Sequence, residues 1–215
     1  MKVEAQGRSV EIEPNSKPYL MKRLIADGFD TILIFGLFLL FLFVTMRSSL
    51  AGTYNWHFGR YTAIEEETKA ACGGDAAAIT EALNANSEYI NERFAANLHG
   101  YLLKGLAGML AMIPVLLAAP LLNKNRATPG KLMTGLMPFH DRRQRKALWY
   151  QIFLRFLFVF LIDGLLLFLV TGIWTFVFVP VLRLIEILLS RKDKTILDMM
   201  TCITVIEKLS YSGIE

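Results

Sequence analysis

Four apolar stretches, each about as long as a bilayer is thick, organise the chain. They cover residues 24–46, 101–122, 152–170 and 173–189. A spanning helix needs about 17–25 such residues, so each stretch predicts a transmembrane helix. Pro114 and Pro120 in the second stretch and Pro180 in the fourth are tolerated in membrane helices and predict kinks. Thr171-Gly172 leaves room only for a tight turn, which makes the third and fourth helices a hairpin. Between the first two stretches, residues 47–100 are largely polar. Gly73-Gly74 breaks the chain there, and Asp75 is suited to cap a helix. Ile79, Leu83, Ile90, Phe94 and Leu98 then recur at helical spacing. This spacing predicts an amphipathic helix from about Ala76 that runs toward the second span. Its apolar stripe has three candidate destinations: its own bundle, the membrane surface or a partner. The fold class expected is an all-α membrane protein with four transmembrane helices and an amphipathic extracytoplasmic helix between the first and second.

Composition supports a membrane class, since 54% of the 215 residues are hydrophobic. The net charge of +4 does not point to nucleic acid, because the basic residues flank the apolar stretches and form no basic-aromatic patch. Residues 123–151 hold Lys124, Arg126, Lys131, Arg142, Arg143, Arg145 and Lys146 against Asp141 alone. Lys22-Arg23 precede the first span, and Arg191, Lys192 and Lys194 follow the last. Residues 47–100 carry Glu65, Glu66, Glu67, Asp75, Glu81, Glu88 and Glu92 against four basic residues. Excess Lys and Arg in short loops marks the cytoplasmic side. Both termini and the 123–151 loop are therefore expected in the cytoplasm, and 47–100 outside, in a plasma-membrane protein. The expected domains are a polar tail over 1–20, a transmembrane domain over 21–206 and a tail over 207–215. Ile196, Leu197, Met199, Met200, Ile203, Val205 and Ile206 are too apolar for free chain and predict a docked cytoplasmic element.

Ionisable residues inside the apolar stretches are the candidate chemistry. Asp30 lies in the first, with Arg23 seven residues before it at the edge, Arg155 and Asp163 in the third, Arg183 and Glu186 in the fourth. A charge at the bilayer centre costs about 2.5–3.5 kcal/mol on insertion scales, so each needs a partner, a bundle interior or a wet cavity. Arg183 and Glu186, three apart, can pair on one helix face. Arg183 falls near the depth of Asp30, making Arg183–Asp30 a plausible interhelical pair. Asp27 offers a second carboxylate one turn from Asp30. Such a cluster either neutralises itself and fixes packing, or lets Asp30 and Asp163 bind a monovalent cation or relay protons.

Other chemistry finds little support. Cys72 and Cys202 fall on opposite sides of the expected membrane, and His57, His99 and His140 lack ligand spacing, so no metal site is expected. Arg126-Ala127-Thr128-Pro129-Gly130-Lys131 lacks the first glycine and the terminal Ser/Thr of a P-loop. It reads as a surface turn with Lys131 near anionic lipid. No nucleophile–base set stands out, so neither an enzyme nor a cofactor is expected. No internal repeat is evident, and the two hairpins differ too much for an inverted-repeat transporter.

Several motifs resemble the RDD family of membrane proteins. Arg23-Leu24-Ile25-Ala26-Asp27-Gly28-Phe29-Asp30 is similar to R-x-x-A-x-x-x-D. Thr128-Pro129-Gly130-Lys131-Leu132-Met133-Thr134-Gly135-Leu136 is similar to T-P-G-K-x-x-x-G-L. Lys194-Thr195-Ile196-Leu197-Asp198 resembles Q-T-x-H-D, with Leu197 in place of the histidine. The A-G-T-x-V that follows in the family reads Thr201-Cys202-Ile203-Thr204-Val205. The resemblance implies that Arg23, Asp30 and Asp198 are the name-giving residues. It also implies two functional classes, monovalent cation/proton exchange and accessory subunits of membrane complexes. The first is the leading expectation, with Asp198 at the cytoplasmic mouth of the path and membrane lipid around a homo-oligomer. A non-enzymatic scaffold is the alternative.

Overall fold

The computed structural model describes residues 2–5, 8–11, 17–140, 145–162, 172–189 and 195–207. The chain divides into two compact units, one of residues 39–107 and one of residues 1–38 with 108–215. Strands β1 (Lys2–Ala5) and β2 (Arg8–Glu11) pair antiparallel within the expected polar tail. Helix α1 (Lys17–Arg47) follows. It buries Arg23, Ala26, Asp30, Ile34 and Phe38 at steps of three and four, while Leu24, Ile25 and Ile32 are exposed. The ionisable Arg23 and Asp30 are turned inward among apolar neighbours while large apolar residues face outward, as lipid requires.

The 39–107 unit is helical. Helix α2 (Gly52–Ala71) has almost no amphipathic pattern, and its sequence did not predict it. Asp75 caps α3 (Ala76–Ala85) as expected, accepting from the Ala77 N–H at 3.0 Å. The expected single helix is broken at Asn86, whose side chain accepts from the Tyr89 N–H at 3.1 Å and starts a new helix, α4 (Ser87–Met112). Helices α2 and α4 are joined by Arg60–Glu88, by His57 Nδ1 to Glu92 Oε2 at 2.6 Å, and by the Tyr54 ring against Gly100. Tyr89 and Ala96 are buried, whereas Ile90, Phe94 and Leu98 of the predicted stripe are exposed.

Pro114 has no N–H for the helical ladder, and α4 passes there into a π-helical turn (Ile113–Ala118) before α5 (Ala119–Leu122). Leu20–Arg47 and Ser87–Leu122 are the two described helices long and apolar enough to cross a membrane. Helix α6 (Pro129–Met133) leads into β3 (Leu136–His140), which is followed by β4 (Arg145–Lys146) and α7 (Trp149–Val159). The apolar helix containing α7 continues to Ile162, and the rest of the predicted third span, 163–170, lies outside the described residues. Within the predicted fourth span, α8 (Thr175–Leu189) has 15 residues, shorter than a full crossing at about 1.5 Å each. Helix α9 (Ile196–Met200) and β5 (Ile203–Glu207) complete the description.

The molecule is mostly helical but not all-α. Strands β4, β3 and β5 form one antiparallel sheet in that order, with Leu136 opposite Glu207 and His140 opposite Ile203. All five residues of β3 are buried. Residues 195–207 are thus a folded element, as their apolar character predicted. The β-branched run Ile203-Thr204-Val205-Ile206 favours a pleated, buried strand, while Pro138 disguised β3.

An internal repeat is present after all, over 128–139 and 195–206. Thr128 and Thr195 are both N-caps, at φ −67° with ψ 161° and 159°. Thr134 and Thr201 are both C-caps, at φ −89° and −91° with ψ 1°. Each C-cap hydroxyl donates to the carbonyl four residues back, Gly130 at 3.0 Å and Leu197 at 2.8 Å. Gly135 and Cys202 then both adopt positive φ, +71° and +52°, and each opens a strand. The two units differ most at their third helical position, Lys131 in one and Asp198 in the other. That reversal of charge, on a framework of a few structural threonines, hid the repeat from the sequence reading.

Candidate functional site

Two locks hold the short helices against the long ones. At the first, Asp30 lies in a helix that needs no cap, yet it caps α6. Its Oδ1 accepts from the Gly130 N–H at 2.7 Å, and its Oδ2 accepts from the Thr128 hydroxyl. Lys131, only 5% exposed, places Nζ 3.4 Å from Asp27 Oδ1 and 4.0 Å from Asp30 Oδ2. Lys131 is therefore turned inward onto carboxylates, not outward to lipid as expected. The expected Asp30–Arg183 pair is replaced by this set of contacts. Thr128 and Pro129 are a strong N-cap and first-turn pair, so the loop's sequence favours this short helix locally.

At the second lock, Asp198 is fully buried. Thr195 and Asp198 form a capping box, with the Asp198 N–H donating to Thr195 Oγ1 at 3.1 Å and the Thr195 N–H donating to Asp198 Oδ2 at 3.3 Å. Arg23 donates to the same Oδ2. Arg155 Nη1 stands 2.8 Å from Oδ1, an ionic contact outside hydrogen-bond alignment. Burial opposes the charge on Asp198, but the guanidiniums of Arg155 and Arg23 outweigh it and hold the carboxyl below the usual carboxylate range. Asp198 is thus an interior anchor, not an open mouth. Gln151 ties α7 to this unit by donating to the Thr201 carbonyl at 2.7 Å.

Between the locks lies a cavity of about 150 Å³. Its charged lining comprises Arg23, Asp27, Asp30, Arg126, Lys131, Arg155 and Arg183, and its walls are otherwise mainly apolar. Arg183 pairs with Glu186 at 3.3 Å along α8, as the three-residue spacing predicted. Asp163 lies outside the described residues. No group of three His, Cys, Asp or Glu side chains among the described residues is placed to hold a metal ion.

The residues that meet here are those of the motifs: Arg23, Ala26 and Asp30 from one, Thr128, Gly130 and Lys131 from another, Thr195 and Asp198 from the last. The sequence pattern of the RDD family matches residues 17–202. The chain belongs to the RDD family. It is an RDD membrane protein whose first name-giving residue, Arg23, grips the last, Asp198, while the middle one, Asp30, caps α6. No curated protein and no solved structure matches the chain. Sequence reasoning had named Arg23, Asp30, Arg155 and Asp198 but missed the roles of Thr128, Gly130, Lys131 and Thr195. The available signal was the T-P-G-K motif itself, whose Thr-Pro pair suits a helix start.

Proposed function

We propose that this RDD protein moves a monovalent cation in exchange for a proton through the cavity, with Asp27 as the ion-binding carboxylate. The observation that carries this reading is the looseness of one pair. Asp27 lines the cavity with its side chain 29% exposed, and its ionic partner Lys131 stands 3.4 Å away. Lys131 acts as a tethered internal cation. An entering cation displaces it toward Asp30, which is already within 4.0 Å. Asp30, committed to Thr128 and Gly130, serves as the frame and not as the carrier. The proposed orientation keeps both termini and residues 123–151 in the cytoplasm, and a second copy of the chain completes the thin wall of the path.

The test is ion flux in reconstituted vesicles carrying a pH-sensitive dye, with Na⁺, Li⁺ or K⁺ added. Flux should be present in the parent and lost in Asp27→Asn, whose thermal unfolding stays close to the parent's. Absence of flux, or flux indifferent to Asp27→Asn, overturns the reading. The exposed Trp56, Ile90 and Phe94 of the 39–107 unit favour a second reading, an accessory subunit. Crosslinking in native membranes would then recover a stoichiometric partner that Phe94→Ser releases.

A further inference from the structure

We propose that the cavity also binds an anionic amphiphile, a phosphate or carboxylate head on an acyl chain, with the head on Arg126 and Arg155. This site uses residues other than Asp27 and Lys131 and does not depend on the transport reading. The first argument is the wall. Ile34, Leu116, Phe156, Val159 and Val179 line the cavity, and a hydrated cation has no use for them. A space of about 150 Å³ accepts an apolar group of about benzene size, which corresponds to a few methylenes of one chain.

The second argument is Arg126. It is half-buried and lines the cavity, and its Nη1 donates to the Leu121 carbonyl at 2.6 Å. Among the described residues no carboxylate pairs with it. A guanidinium partly withdrawn from water beside apolar walls favours an anion, and its remaining fork of donors suits phosphate or carboxylate.

The third argument is that Arg126 is held in place. Its φ of +55° lies in the left-handed region, which non-glycine residues enter at a cost and which recurs at ligand clamps. Asn123 secures the turn. Its Nδ2 donates to the carbonyls of Ala119 and Ala127 at 2.5 Å each, and its Oδ1 accepts from the N–H groups of Asn125 at 3.0 Å and Ala127 at 3.1 Å. Arg155 adds a second guanidinium to the lining, with its side chain 20% exposed and its carboxylate, Asp198, shared with Arg23.

The experiment measures bound lipid on the full-length protein, delipidated and exchanged in turn against phosphatidylglycerol, oleate and phosphatidylcholine, with retention read by native mass spectrometry. Phosphatidylglycerol or oleate should be retained over phosphatidylcholine. Retention of the first alone assigns a phosphate head, of the second alone a carboxylate head, and of both an anion of either kind. Arg126→Gln should weaken retention about tenfold or more, the loss of one charge-assisted contact, and Arg126→Lys should restore most of it. Val159→Trp, which fills the chain wall and leaves Arg126 intact, should weaken it as well. Equal retention of phosphatidylcholine, or anionic retention unchanged in both Arg126→Gln and Val159→Trp, overturns the proposal. Bound lipid is read independently of ion flux, so failure here is distinguishable from failure of the transport reading.

Discussion

Gly130 has no room for a side chain. A Cβ there would sit 2.0 Å from the Ala26 carbonyl oxygen, 2.9 Å from its carbon and 3.0 Å from Asp30 Cγ. Backbone atoms of a long helix cannot give way as a flexible side chain would. Gly130→Ala should therefore push α6 off α1, lose the cap at Asp30 and cost about 3 kcal/mol or more. The check is a lowered thermal unfolding midpoint in detergent. Gly28→Ala in helix α1, with nothing within 4 Å of the added atom, should be neutral to about 1 kcal/mol more stable than the parent. A Gly130→Ala midpoint equal to that control would refute the contact. The sequence displayed both Ala26 and Gly130 as motif letters but not why they are small. Gly130 is small because the α1 backbone at Ala26 lies against it, Ala26 packs with Leu136 and Val205, and residues so far apart in the chain leave no local periodicity to read.

At the scale of elements, the repeated helix–turn–strand unit needs a residue in the left-handed region just past each short helix. The first copy has Gly135 at φ +71°, the second Cys202 at φ +52°. Cβ crowding there costs roughly 1–2 kcal/mol in a non-glycine residue, and glycine removes it. Cys202→Gly should stabilise the protein by about 1 kcal/mol, seen as a higher unfolding midpoint; a lower one would show that the thiol's packing matters more. The long helices were legible because apolar length and the Asp75 cap are local signals. Helix α2 was not, because its polar and apolar residues follow no period. The break at Asn86 was missed because the stripe from Ile79 to Leu98 kept its spacing across it. Strand β3 was hidden by Pro138, and β5 lay within a run read only as apolar.

At the scale of the molecule, Asp198 binds α1, α7 and α9 together. Its carboxyl is held below the usual carboxylate value of 3.8 in the fold, so the folded state gives up this proton more readily than the unfolded chain. The stability it contributes is complete above about pH 4 and is lost as pH falls below that. Asp198→Asn should cost about 3–5 kcal/mol, because it leaves guanidinium charge buried without its carboxylate. Its unfolding midpoint should also vary less than the parent's between about pH 5 and 3. A parent midpoint that is flat over that range would contradict the assignment. The sequence announced charges in apolar stretches, but it could not say which were frame and which were free to act. That division follows from contacts such as Thr128 with Asp30, which the fold creates. The Arg23–Asp198 contact joins residues 175 apart, and this separation sets a schedule for synthesis. At about 5–20 residues per second, the ribosome leaves Arg23 waiting roughly 10–35 s for its carboxylate. A nascent chain stalled before Asp198 still lacks the carboxylate that joins α1, α7 and α9.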